Sequence, residues 1–206
     1  MAHSGLLAIE QKMIQLNGQH QAVIFVLTGA NGTGKTVMSK RLLTSLPFHQ
    51  TFNLGAVTKT IRYIYQDAET TRLENFTDEK ITKLFTPIVQ FACNEYQKNG
   101  VNVIVDGIQI DPSSLLWSHN ITGGVVLKVN SKIKNRRNHY PVTHFNRAMD
   151  LHVSDNYTYR SSDKFVNIDN NGQIDDTFDK ILQVLSDQLD KQLSASKKNL
   201  VASVFE

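Results

Sequence analysis

The chain has 206 residues, of which 40% are hydrophobic and 20% charged, a length and composition that suit one globular domain with an insertion or tail and would leave two full domains cramped. Gly 11 and Pro 4 are too few for a fibrous or low-complexity chain. The formal net charge of +3 favours a small anionic partner and falls short of the dense basic stripe that nucleic acid requires.

Leu6, Leu7, Ile9, Met13, Ile14 and Leu16 recur at helical spacing up to Asn17-Gly18 and predict a leading helix over about 4–17. Residues 22–27 (AVIFVL) form a continuous apolar run with no polar alternation, the pattern of a strand covered on both faces and placed at the centre of a parallel sheet. After a glycine-rich turn, residues 36–46 carry Val37, Met38, Leu42 and Leu43 on a helical pattern that stops before Pro47. Residues 51–57 read as a short second strand, and 60–66 (TIRYIYQ) fits strand or helix, with helix favoured. From 77 to 100 the acidic turn Asp78-Glu79 and the set Ile81, Leu84, Phe85, Ile88 and Ala92 describe a long amphipathic helix. Pro87 within it predicts a kink or two abutting helices.

A second buried strand, 101–105 (VNVIV), ends at Asp106-Gly107, and a third follows at 124–129. The basic segment 131–142 comes next, then a helical pattern over 143–153, a last strand over 163–168, a closing helix over 176–193 and a polar tail over 194–206. Strands alternating with helices predict an α/β fold with a mostly parallel five-stranded sheet. The single Cys93 cannot form an internal bridge and reads as a small core residue. No Cys/His run has zinc spacing, no basic leader precedes an apolar stretch, and no apolar run approaches the ~20 residues that cross a bilayer. The cytoplasm is the expected location, without a membrane or nucleic-acid partner.

Gly29-Ala30-Asn31-Gly32-Thr33-Gly34-Lys35-Thr36 fits G-x-x-x-x-G-K-[ST] without a mismatch, between a predicted buried strand and a predicted helix. Gly29, Gly32 and Gly34 let the backbone wrap close to an anion, and the amides of the loop, including Asn31 and Thr33, turn inward at the positive end of the helix. Lys35 then reaches the β and γ oxygens of a nucleoside triphosphate, and the Thr36 hydroxyl ligates Mg²⁺. Asp106 ends an apolar parallel strand on the edge where this loop emerges. It suits a ligand of Mg²⁺ or an acceptor for the proton of an attacking hydroxyl; as Asp-Gly it also suits a simple turn. Arg136 and Arg137 fall where a mobile lid would bring cations over the phosphates, and Arg62 could grip an acidic group of an acceptor with two prongs. Each also reads as a solvated surface arginine.

The loop at 29–36, together with Val57-Thr58-Lys59-Thr60-Ile61-Arg62 and the stretch VIVDGIQIDP over 103–112, resembles the 2-phosphoglycerate kinase-like P-loop kinases. The segments His144-Phe145-Asn146-Arg147-Ala148-Met149-Asp150 and Asn167-Ile168-Asp169-Asn170, the latter ahead of an Asp-Asp-Thr-Phe helix, are similar to that family's C-terminal half. The resemblance implies a three-layer P-loop NTPase fold of kinase type with strand order 2-3-1-4-5, and ATP with Mg²⁺ as the phosphoryl donor. Two positions depart from the family. Lys59 stands where an acidic residue near the acceptor hydroxyl belongs, and Gln109 replaces the histidine of Glu-Gly-x-His. Lys59 suits an acceptor that already bears a phosphate or carboxylate. A kinase of a small, acidic or phosphorylated metabolite is the leading reading, with catalytic Lys35, Asp106, Arg136 and Arg137 and with Lys59 and Arg62 on the acceptor. A nucleotide-dependent switch, and a kinase of a nucleoside, nucleotide or activated sugar, remain as alternatives.

Overall fold

The apolar run behind the leading helix forms β1 (Ile24–Thr28), with every residue buried. Such a run has no polar face to offer water and is stable only inside a sheet covered on both sides. The computed structural model describes residues 3–29, 32–54, 56–57, 78–107, 121–129 and 163–202, and in it β1 is the middle strand of a five-stranded sheet. On one side β1 pairs with β3 (Val103–Asp106), which pairs in turn with β2 (Gln50–Asn53). On the other it pairs with β4 (Gly123–Lys128), and β4 with β5 (Phe165–Asp169). Every pairing is parallel, so the order is β2-β3-β1-β4-β5, as the resemblance implies.

The period-two alternation of β1 divides its side chains between two cores. Val23, Phe25 and Leu27 turn to the face covered by α1 (His3–Gly18), α2 (Lys35–Ser45) and α4 (Ile174–Ala202), where they join Ile9, Met13, Met38, Leu42, Ile181 and Leu185. Ile24 and Val26 turn to the opposite face, where Val89 and Cys93 of α3 (Asp78–Lys98) pack with Val105, Val126 and Phe165. Full burial of each such side chain contributes about 1.5–3 kcal/mol, so both faces hold the sheet rigid. Away from the loop, buried Asn102 ties the strand starts together: its Oδ1 accepts the Val23 N–H at 2.8 Å and its Nδ2 donates to the Pro47 carbonyl at 3.1 Å. α1 is held against α4 by Lys12, whose Nζ meets Asp190 Oδ2 at 2.6 Å and Ser186 Oγ at 2.8 Å.

Two elements differ from their sequence expectations, and a third narrows one. β2 ends at Asn53, short of the 51–57 strand, because the Asn53 carboxamide oxygen accepts the Ala56 N–H at 2.9 Å and starts a helical turn. Of the two outcomes expected at Pro87, a pair of abutting helices is not found, since the residue lies inside the one helix Asp78–Lys98. The closing helix runs to Ala202, so much of the stretch 194–206 expected as a tail is helical. No Gly or Pro interrupts it there, and the hydroxyls of Ser194 and Ser196 donate back to the carbonyls of Asp190 and Gln192 at 2.8 and 3.0 Å. The readings for 60–66, 131–142 and 143–153 lie outside the described residues.

Candidate active site

Because all five strands run the same way, their C-terminal ends share one edge, and the chain leaves β1 there at Gly29. Gly29 has φ 135, and a Cβ on it would lie 2.3 Å from the Leu127 carbonyl oxygen, so the loop opens where only glycine fits. At the far end Gly34, in the left-handed region at φ 95, is the N-cap of α2, and among the described residues no side chain caps that helix. An anion can take the place of the missing capping oxygen. The half-buried Lys35 donates from Nζ to the Gly29 carbonyl at 2.8 Å, which folds its ammonium back over the loop it belongs to.

The register of β1 against β3 sets Asp106 beside Leu27, and the Gly107 N–H donates to the Leu27 carbonyl at 2.7 Å. Asp106 is thereby carried to the base of the loop, where it is only 5% exposed. A buried carboxylate needs donors. Its Oδ2 accepts the Thr36 hydroxyl at 2.9 Å, with the Ser39 hydroxyl at 3.5 Å from the same atom. Asp106 thus meets Thr36 across 70 positions of sequence, while Gly29, Gly32, Thr33, Gly34 and Lys35 belong to the stretch that leads from β1 into α2. Asn31, Lys59, Arg62, Arg136 and Arg137 lie outside the described residues.

Two hydroxyl oxygens and a carboxylate grouped in this way are hard donors that match Mg²⁺, an ion that takes one or two protein ligands and fills its remaining positions from phosphate and water. The donor set fits that ion, and Thr36 and Asp106 are the residues that could hold it. Among the described residues no group of three or more His, Cys, Asp or Glu side chains could form a closed metal cage. Cys93 is not part of this chemistry: burial pushes its thiol up to about 11, and it stays a protonated core residue.

Sequence reasoning missed Asn170 and Ser39. Asn170 directly follows β5 and donates from Nδ2 to the Thr33 carbonyl at 2.8 Å. The signal that singled out Asp106, a polar residue at the C-terminal end of a parallel strand, marks the end of β5 without separating Asn170 from Asp169 and Asn171. α2 is also tied to the start of α4, since Arg41 pairs with Asp175 at 2.7 Å and its guanidinium lies 4.5 Å from the centre of the Phe178 ring.

No protein-family model and no curated protein matches the sequence. Solved structures match it in fold. A sugar kinase from a Janibacter species superposes with a TM-score of 0.59 at 11% identity, over 80% of this chain and 94% of its own. A gluconokinase from Sinorhizobium meliloti gives 0.53 at 13% identity, over 87% and 98%. A thymidylate kinase from Candida albicans gives 0.51 at 10% identity, over 86% and 93%. Identities this low establish the fold alone: the chain shares its parallel α/β fold with these three kinases.

Proposed function

We propose that the chain is an ATP-dependent phosphotransferase that moves the γ-phosphoryl group onto a hydroxyl of a small acidic or phosphorylated metabolite. The observation that carries this reading is the pairing of the Thr36 hydroxyl with buried Asp106 at 2.9 Å beneath a glycine loop that feeds an uncapped helix. The neighbours' names, a sugar kinase, a gluconokinase and a thymidylate kinase, support a small-molecule acceptor.

In this reading the loop amides from 29 to 36 bind the phosphate tail, and Lys35 exchanges its bond to the Gly29 carbonyl for the β and γ oxygens. Mg²⁺ held by Thr36 and Asp106 would supply positive charge against the β and γ phosphates. Asp106 serves as its anchor or takes the proton of the attacking hydroxyl. Arg136 and Arg137 close over the phosphates and exclude water, while Lys59 and Arg62 receive the acidic group of the acceptor. The 2-phosphoglycerate-like choice of acceptor rests on the sequence resemblance, and a cytoplasmic setting on the single Cys93, which asks for no oxidising compartment. Among the described residues no helix is long and apolar enough to cross a membrane.

The test is ADP release from Mg²⁺-ATP by purified protein against a panel of hydroxy acids, phosphorylated metabolites, sugars and nucleosides. Release above the water background with one class names the acceptor. Only background hydrolysis with every class refutes the proposal.

A further inference from the structure

Asn170 and Thr33 meet across 137 positions of sequence, and the contact is fully internal, with Asn170 1% exposed. The backbone N–H and both ends of the carboxamide are engaged. Its backbone N–H donates to the Lys128 carbonyl at 2.7 Å, which continues the β4–β5 ladder by one step. Its Oδ1 accepts the Thr177 hydroxyl of α4 at 2.9 Å, and its Nδ2 donates to the Thr33 carbonyl at 2.8 Å. A carbonyl accepts only, so Thr33 decides which end of the carboxamide faces the loop. The packing is equally close: a Cβ on Gly34 would lie 2.6 Å from Asn170 Nδ2.

The peptide joining Thr33 to Gly34 is trans, as all the described peptides are. Its carbonyl and its N–H therefore point in opposite directions within one plane. Glycine next to such a peptide opposes its rotation only weakly. If it turned over, a carbonyl oxygen would face a bound phosphate where an N–H belongs, replacing an attraction by a repulsion.

We propose that Asn170 is a positioning residue of the phosphate loop: by holding the Thr33 carbonyl it keeps the Gly34 N–H aimed at a bound polyphosphate, with Thr177 fixing the carboxamide. This rests on the reading of 29–36 as a nucleotide site. Asn170 touches no phosphate itself; it acts through the orientation of one peptide. The affinity of the loop is then set in part from the last strand and the last helix of the fold.

The test is calorimetric titration of the full chain with Mg²⁺-ADP and, separately, with inorganic tripolyphosphate, which has neither base nor ribose. Wild type, Asn170→Ala, Thr177→Val and the double variant are compared, each shown by circular dichroism to be folded at the titration temperature. Losing the aim of one charge-assisted hydrogen bond predicts an affinity about ten- to hundredfold weaker in Asn170→Ala for both ligands. Thr177→Val weakens binding in the same direction by less, and has no further effect once Asn170 is alanine, since the two act through one contact. Affinity within about twofold of wild type in Asn170→Ala, a loss with Mg²⁺-ADP but not with tripolyphosphate, or additive losses in the double variant overturns the proposal. Where Asn170→Ala does not fold, unchanged affinity in Thr177→Val overturns it. Absence of heat with wild-type protein removes the nucleotide reading and this proposal with it, whereas unchanged affinity in the variants removes this proposal alone.

Discussion

Replacing Gly29 by alanine puts the first residue of the phosphate loop to a direct test. The added methyl would lie 2.3 Å from the Leu127 carbonyl oxygen and 3.2 Å from both the carbonyl carbon and the nitrogen of that residue. The obstacle is backbone and not a pliable side chain. Leu127 is paired to Ile168 of β5, while Val125 and Val126 of the same strand are paired to Leu27 and Thr28 of β1. Relief therefore requires the sheet to spread or the loop to lift. Overpacking of this kind costs about 1–3 kcal/mol. A non-glycine residue at φ 135 adds about 1–3 kcal/mol of backbone strain. The sum is a large share of the roughly 5–15 kcal/mol that keeps a domain folded, and at about 2–4 °C per kcal/mol it lowers the melting midpoint by about 10 °C. Lifting the loop also moves the Gly29 carbonyl, the partner of Lys35 at 2.8 Å, so nucleotide affinity falls with stability. Gly18→Ala is the control, because a Cβ there meets nothing within 4 Å and the change is neutral or slightly stabilising. Thermal melts followed by circular dichroism and titration with Mg²⁺-ADP read both effects. A Gly29→Ala protein that melts within about 2 °C of wild type and binds nucleotide normally would refute the reasoning.

Other outcomes follow from the same geometry. Asp106→Asn keeps an oxygen that can accept the Thr36 hydroxyl, now at 2.9 Å, so the protein folds normally; losing the charge lowers phosphoryl transfer about 10²-fold or more, and a rate within threefold of wild type removes Asp106 from the chemistry. Lys59→Ala weakens acceptor binding, read as a raised KM for the acceptor with KM for ATP unchanged; identical constants for both substrates dispose of the proposed role. Burial raises the Cys93 thiol from 9.0 to about 11. The folded protein holds this proton more tightly than the unfolded chain, so the contribution is complete below pH 9.0 and is lost as the pH rises through about 11. The two limits differ by up to about 3 kcal/mol. In urea unfolding, the stability advantage of wild type over Cys93→Ala shrinks between pH 8 and pH 10.5; an advantage that stays constant contradicts the assignment.

What could be read from the chain alone was whatever depends on neighbours in sequence. A polyphosphate cradle is made by the backbone of consecutive residues, so the one proposed at Gly29 to Thr36 is legible as one unbroken stretch. A strand buried on both faces must be apolar at every position, which made 22–27 and 101–105 recognisable and placed Asp106 at a strand's end. The short β2 was harder, because its residues are at most half-buried and the Asn53 cap that ends it acts through one side chain. The far end of α4 misled for a related reason: Ser and Lys signal a tail by composition but do not themselves break a helix. Only the folded chain could single out Asn170 from its neighbour Asn171. Nothing local distinguishes two adjacent asparagines; one is buried against Thr33 because the parallel pairing of β4 with β5 carries the end of β5 to the loop, and that pairing joins segments about forty residues apart, whose contact local sequence patterns do not specify.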